Sequence, residues 1–248
     1  METLWHILLL VAVGIVSGFV NVIAGGGSLI SVPVLIFLQL PSAVANGTNR
    51  LAILSQNITA VKKFKDKGFF DTKLNILLSA TSIPGAIAGS LSAVNIQDAL
   101  FNKILAIIMI MVMITTFIGN VKRKNSSDIA KNPFWLAVSF LFIGFYGGFI
   151  QAGVGFIIIA ALSIIGQLSL VKTNSVKVFV TLIYTIPSLL IFIVSGKVHW
   201  LYGAALAAGN AFGGWFGGHV SITKGDTWIR VFLAVTVTAM AVKLFILQ

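Results

Sequence analysis

The sequence has no cysteine and few charged residues. With no cysteine among 248 residues, disulfides, thiol chemistry and cysteine-based metal sites are excluded. Only 9% of the residues are charged, whereas a soluble domain carries roughly a quarter. Hydrophobic residues make up 58% of the chain, and its mean hydropathy is +1.03. Because a soluble protein of this size cannot hide so much apolar surface, we predict an all-α, polytopic transmembrane bundle whose surrounding partner is the lipid bilayer.

Acidic residues and histidines are also scarce. None of the three histidines lies four residues from another or in a carboxylate cluster, so we expect no metal, no cofactor and no catalytic residue. The six acidic residues all fall at chain ends or between apolar runs, which argues against an intramembrane hydrolase and leaves no carboxylate to relay protons. The net charge is +11, but the basic residues are scattered without an aromatic-basic pattern, so no nucleic-acid partner is expected.

Apolar runs mark the expected membrane spans. A spanning helix needs about 20 apolar residues, and runs of that order lie at 4–23, 43–61, 74–93, 99–119, 134–151, 173–194, 200–218 and 228–247. Two shorter stretches, 28–40 and 154–168, directly follow glycine clusters and reach only about 20 Å as helices. They are half-helices, re-entrant segments or strongly tilted spans, and the sequence does not choose among these.

The chain repeats itself. Ala24-Gly25-x-Gly27 matches Ala152-Gly153-x-Gly155 at an offset of 128 residues, and Gly85-x3-Gly89 matches Gly213-x3-Gly217 at the same offset. This pattern predicts a duplicated half-transporter. The predicted division is a first transmembrane repeat at 1–119, a cytoplasmic linker at 120–133 and a second transmembrane repeat at 134–248.

Basic residues orient the two repeats. Lysines and arginines near helix ends favour the cytoplasmic side, and they concentrate in the 62–73 loop and in the linker. The counterpart of the 62–73 loop in the second half, Ser195–His199, carries one lysine. We therefore predict inverted repeats, with both termini on the extracytoplasmic side.

The glycine clusters are the first candidate site. Gly25, Gly26, Gly27 and Ser28, with Gly153 and Gly155 in the second half, predict breaks that expose backbone N–H groups at the start of a helix. Such a terminus suits an anion. The alternative is close helix packing, which is the favoured interpretation of Gly85-x3-Gly89 and its counterpart.

Polar and basic residues beside the breaks complete the candidate site. The amides of Asn21 and Gln151 either bind substrate oxygen atoms or satisfy the opened backbone. The Thr-Asn pairs either cap helix N-termini or face the breaks across a cavity. The two cations either balance an anion or extend to phosphate headgroups. These pairs and cations are Thr48, Asn49, Arg50, Thr173, Asn174 and Lys177.

Together these motifs resemble the TauE/SafE sulfite-exporter family over about residues 8–245. The similar segments are Gly18 to Ser28 with Gly47-Thr48-Asn49 in the first half, and Gly148 to Gly155 with Thr173-Asn174 in the second. The resemblance implies a bacterial or archaeal inner-membrane transporter of two repeated halves that moves small anions, including sulfite and organosulfonates. Gln151 and Phe156 stand where the first half has Asn21 and Ser28, so the two half-sites differ chemically.

The predicted function is therefore export of a small sulfur-containing anion, such as sulfite or an organosulfonate, by alternating access between inverted halves. The alternative is a passive anion channel, or a transporter of another small organic anion. The expected partners are the small anionic substrate and the bilayer, and homo-oligomerisation stays open.

Overall fold

The computed structural model is helical throughout its main elements, and it describes residues 2–118 and 130–246. The helices are α1 (Glu2–Ile23), α2 (Ser28–Phe37), α3 (Ser42–Asp66), α4 (Thr72–Ala93), α5 (Asp98–Ile118), α6 (Pro133–Phe149), α7 (Val154–Ile164), α8 (Leu170–Val194) and α9 (Trp200–Ile246). The prediction of an all-α fold is confirmed. Most of the predicted linker at 120–133 lies outside the described residues, and the division into two repeats stays a prediction.

A short helix follows each glycine cluster. The long helix α1 ends at Ile23 and is followed by α2, with 10 residues, while α6 ends at Phe149 and is followed by α7, with 11. At 1.5 Å per residue these short helices rise about 15 Å and 17 Å, against a hydrocarbon core of about 30 Å. Neither short helix therefore spans a membrane perpendicular to its plane.

The surface of the bundle is apolar. Within the described residues, the helical stretches long and apolar enough to cross a membrane are Thr3–Ile23, Thr72–Ala93 and Leu170–Val194. Large apolar side chains also face outwards, including Phe37 at 77% exposure and Val194 at 87%. Exposed apolar side chains of this size and number fit contact with lipid, so the chain is a membrane protein.

The C-terminal part of the chain differs from the expectation. Two spans were expected, at 200–218 and 228–247, but α9 is one helix of 47 residues. The polar segment between the two runs contains no proline. Within it, the hydroxyl of Thr223 donates a hydrogen bond to the carbonyl of His219 in the same helix. The segment therefore continues the helix, because a polar composition alone does not end one.

Two helix pairs join the halves of the chain. Helix α1 packs mainly on α9, and α6 packs mainly on α4. A Cβ atom at Gly213 would collide with the carbonyl oxygen of Ile15, and one at Gly85 would collide with that of Leu141. Only glycine allows backbones to approach this closely. The interpretation of the small-xxx-small motifs as packing surfaces is confirmed, and each of these two pairs joins a helix before residue 119 to one after residue 133.

Helices α3 and α8 lie between these two pairs. Helix α3 packs on α9 and α8, and α8 packs on α4 as well as on α3. One apolar cluster joins α4, α6, α7 and α8 around Phe140 and Val180, and another joins α1, α3, α8 and α9 around Phe64 and Val178. This arrangement places the starts of α2 and α7 at the centre of the bundle, against α3 and α8.

Candidate functional site

The two glycine breaks touch each other. Gly25 has φ +85° and Gly153 has φ +75°, which is the left-handed region that glycine tolerates best. A Cβ atom on Gly155 would collide with the Cα atom of Gly25, and one on Gly25 would collide with the backbone of Gly155. The chain therefore crosses itself, backbone against backbone, at a point where neither residue has room for a side chain.

Backbone N–H groups are left free at both breaks. Within the described residues, the amides of Gly26, Gly27 and Ser28 donate to no protein acceptor, and neither do those of Ala152, Gly153 and Gly155. The next amides of the first break are paired, since Leu29 N–H donates to the carbonyl of Gly26 at 3.0 Å. Free donors at a helix start carry partial positive charge, so each break offers a site suited to an anion.

A polar cavity lies beside the breaks. It lies between α1, α3, α8 and the two breaks and is small, with a volume of about 10 Å³, which is room for about one water molecule. Its wall contains side-chain amides, hydroxyl groups, one cation and a few apolar side chains. The lining residues are Asn21, Ser28, Ile53, Gln56, Asn57, Gln151, Val154, Gly155, Lys177, Val178 and Thr181.

Lys177 is the charged residue of this wall. It is 3% exposed, and its Nζ donates to the carbonyl oxygens of Asn21 at 3.0 Å and Val22 at 2.7 Å. It also donates to Oδ1 of Asn174 at 2.9 Å. Asn21 and Val22 lie in the last turn of α1, where carbonyls carry partial negative charge. The carbonyl of Asn21 also accepts from the amide of Gly25 at 2.9 Å. Lys177 of the second half thus caps the first helix of the first half.

Arg50 makes the corresponding contact in the opposite direction. It is fully buried, and its guanidinium donates to the carbonyl oxygens of Gly147, at 3.2 Å, and Gly148, both in the last turn of α6. It also donates to Oε1 of Gln151 at 3.1 Å and to the hydroxyl of Ser188 at 2.7 Å. Arg50 of the first half thus caps the first helix of the second half.

These two contacts correct one alternative of the sequence analysis. Neither Arg50 nor Lys177 extends to phosphate headgroups, since both lie inside the bundle. Each cation donates to carbonyl groups at a helix end, where Val22 and Gly147 have no other donor within the described residues. Lys177 does so while facing the cavity, whereas Arg50 is separated from it by Gln151, one of the lining residues.

The asparagines of the Thr-Asn pairs support the breaks, and neither pair caps a helix. The N-cap positions of α3 and α8 are Pro41 and Ser169, so the N-cap interpretation was wrong. Asn49 donates to the hydroxyl of Ser28 at 3.1 Å and accepts from Ser31 at 2.7 Å, which ties α3 to the first turn of α2.

The other members of the pairs have separate partners. Asn174 donates to the carbonyl of Ile23 at 3.2 Å, at the first break. The hydroxyl of Thr48 accepts from the backbone of His199 at 2.9 Å, and that of Thr173 is buried without a hydrogen-bond partner within the described residues. Of the two pairs, the asparagines therefore hold the chain at the breaks, and the threonine side chains make no hydrogen bond to them in the part of the chain that the structure describes.

Comparison with known proteins identifies the family of this chain. The profile of the family described as "Sulfite exporter TauE/SafE" matches residues 10–244. The chain belongs to this family. Its relatives include a "Probable membrane transporter protein" of Haemophilus influenzae, 29% identical over 95% of this chain and 93% of the relative. YfcA of Escherichia coli K12, with the same description, is 28% identical over 94% of this chain and 87% of the relative.

A more distant TauE/SafE relative is YunE of Bacillus subtilis, also described as a "Probable membrane transporter protein". It is 23% identical over 86% of this chain and 88% of its own length. No solved structure gives a significant match to this chain. These relatives are all described as membrane transporters.

The cavity of this TauE/SafE chain gathers part of the predicted site. Five predicted residues line it, namely Asn21, Ser28, Gln151, Gly155 and Lys177. The other nine lie outside the lining. Gly25, Gly26, Gly27 and Gly153 form the breaks, and the buried residues of α3 and α8 are Thr48, Asn49, Arg50, Thr173 and Asn174.

Sequence reasoning missed six lining residues, and two of them carried a detectable signal. Gln56 and Asn57 are adjacent side-chain amides inside the apolar run 43–61, where polar groups are unusual. Ile53, Val154, Val178 and Thr181 gave no such signal, since apolar residues and threonine are common in any membrane helix. Within the described residues, no group of three or more His, Cys, Asp or Glu comes together to hold a metal ion.

Proposed function

We propose that this TauE/SafE chain is an inner-membrane transporter that exports a small sulfur-containing anion, such as sulfite or an organosulfonate, by alternating access. The observation that carries the proposal is the convergence of two helix starts with free N–H groups and one buried cation around a single cavity. Oxyanions bind well to such donors, because backbone amides and an ammonium group both donate hydrogen bonds to negatively charged oxygen.

The charge balance of the cavity supports an anion. Lys177 lines the wall, and no carboxylate stands beside it among the lining residues. A buried charge in a low-dielectric medium is costly unless a partner of opposite sign compensates it. Its three hydrogen bonds end on neutral oxygen atoms, so the opposite charge is supplied by the substrate.

The reciprocal helix caps support two inverted halves. Arg50 caps α6 across the molecule and Lys177 caps α1, as expected when two related halves face each other around a central axis. We propose that the 62–73 loop and the linker lie in the cytoplasm and both termini outside, following the distribution of basic residues.

Alternating access requires parts that move against each other. The pairs α1–α9 and α4–α6 are held by backbone contacts between glycine and carbonyl groups. Helices packed this closely move together as a rigid unit. We therefore propose that the α1–α9 pair moves relative to the α4–α6 pair during transport. In this scheme the contact of Gly25 with Gly155 is where the two units meet.

A passive anion channel with the same lining is the second candidate. The feature that favours it is the lack of an acidic residue in the cavity wall, because many coupled transporters bind their driving ion at a carboxylate. Counterflow distinguishes the two, since a carrier loaded with unlabelled anion accumulates labelled anion transiently and a channel does not.

The test is uptake into proteoliposomes of labelled sulfite, sulfoacetate and sulfate, with and without imposed gradients of pH and sodium. We expect saturable transport of sulfite or the sulfonate, with counterflow. Absence of transport of every sulfur oxyanion would remove the proposed substrate class, and transport of another organic anion would replace it. Equal, non-saturable flux without counterflow would favour the channel.

A further inference from the structure

Two neighbouring side-chain amides form a pair in the cavity wall. Gln56 and Asn57 are consecutive residues of α3, each 1% exposed, and both line the cavity. Nε2 of Gln56 donates to Oδ1 of Asn57 at 3.4 Å. The pair stands in the same wall as Lys177 and was not part of the predicted site.

Each amide keeps one unpaired polar atom. Oε1 of Gln56 and Nδ2 of Asn57 have no hydrogen-bond partner within the described residues. If the oxygen and nitrogen atoms of both amides were exchanged, the bond between them would reverse and again leave one oxygen and one nitrogen free. The pair therefore offers one acceptor and one donor whichever way the amides are oriented.

Buried amides seldom remain unpaired. Leaving a buried donor or acceptor without a partner is unfavourable, and most such groups in folded proteins are satisfied. Because both free atoms belong to residues of the cavity wall, a bound molecule is positioned to pair them. That molecule must carry an acceptor for the amide N–H and a donor for the amide oxygen.

We propose that the Gln56–Asn57 pair selects substrates that carry a hydrogen-bond donor beside their anionic oxygen atoms. This inference rests on the proposed function and narrows its substrate class. A protonated oxyanion, a hydroxyalkyl sulfonate and an aminoalkyl sulfonate have such a donor. Sulfate and simple alkyl sulfonates have acceptors alone, and they leave the free amide oxygen unpaired.

Two sulfonates test this inference in the unaltered protein. Ethanesulfonate and 2-hydroxyethanesulfonate have the same charge and the same anionic group, and they differ in one hydroxyl. In proteoliposomes we expect the hydroxyl compound to compete with labelled sulfite roughly tenfold better, because it pairs the amide oxygen that ethanesulfonate leaves free. Equal competition by the two sulfonates would overturn the inference, because water would then pair the free atoms of Gln56 and Asn57.

A double variant links the preference to these two residues. Gln56→Met combined with Asn57→Leu removes both amides at similar volume, and we expect the preference for the hydroxyl compound to disappear. The control is Ser55→Ala on the same helix, whose hydroxyl donates to the carbonyl of Ala207 and does not line the cavity. It should keep the preference.

The outcomes separate the two proposals. A double variant that transports sulfite and retains the full preference would overturn the role of Gln56 and Asn57. Failure of the unaltered protein to transport sulfite or either sulfonate would overturn the proposed function and this inference together. Transport of both sulfonates without discrimination would overturn the inference alone. The comparison in the unaltered protein decides the matter even if the double variant does not fold.

Discussion

Alanine substitutions at the glycine breaks can distinguish two causes of lost stability, namely steric collision of the new Cβ atom and strain of a left-handed backbone. Gly155 has an ordinary backbone conformation, but a Cβ atom there would collide with the Cα and carbonyl atoms of Gly25. Gly196 has φ +66°, yet a Cβ atom there would meet nothing within 4 Å. Gly25 combines both conditions, with φ +85° and a collision with Gly155.

The expected magnitudes follow from these two causes. Overpacking a rigid contact costs about 1–3 kcal/mol, and Gly155→Ala should reach about 3 kcal/mol because backbone atoms on both sides leave little room to shift. A left-handed alanine costs about 1 kcal/mol, which is the expected effect of Gly196→Ala. Gly25→Ala should cost about 4 kcal/mol, the sum of both effects.

The assay is thermal unfolding of the purified variants in detergent. At about 2–4 °C per kcal/mol for a chain of this size, Gly155→Ala should lower the midpoint by roughly 6–12 °C and Gly196→Ala by roughly 2–4 °C. The double variant Gly25→Ala with Gly155→Ala should cost less than the sum of the single variants, because one movement of the breaks relieves both collisions. Equal midpoints for Gly155→Ala and Gly196→Ala would refute the reasoning.

Three further predictions concern the cations and the membrane topology. Lys177→Met should lower transport at least about tenfold, measured as proteoliposome uptake at matched protein content; unchanged uptake would mean that Lys177 is only a helix cap. Arg50→Met should destabilise the protein by about 1–3 kcal/mol, because the carbonyl of Gly147 loses its partner while that of Gly148 still accepts from the hydroxyl of Ser90. Thermal unfolding measures this, and an unchanged midpoint would contradict it. Because the chain has no cysteine, single cysteines can be introduced directly to test the topology. An impermeant thiol reagent should label Ser195→Cys on intact cells and Lys67→Cys only after permeabilisation. Labelling of both variants from outside would exclude the inverted topology.

The breaks were predictable from sequence because their cause is local. Three consecutive glycines from Gly25 to Gly27 weaken a helix wherever it lies, and α1 does end just before them. The amides of Gln56 and Asn57 were also visible as polar residues in an apolar run. Which side of α3 faces the cavity depends on packing against other helices, so their role was not predictable.

The roles of the two cations were not predictable for a different reason. Arg50 pairs with carbonyls 97 and 98 residues away, and Lys177 pairs with carbonyls 155 and 156 residues away. Backbone carbonyls are present at every residue, so no side-chain pattern marks the ones that will accept a cation. The unbroken α9 was missed because a polar segment between two apolar runs has the same composition whether it turns or continues as a helix.

The exchange of helices between the halves affects how the protein is made. Helix α1 packs through its glycine face on α9, which is synthesised about 200 residues later. At 5–20 residues per second, α1 waits roughly 10–40 s for the partner that covers it. During this time the first half has its own helices but lacks the surface against which its first one packs. Synthesis therefore leaves α1 exposed to lipid or to insertion factors until α9 arrives, and a chain stopped after α5 is expected to be a substrate for quality-control proteases.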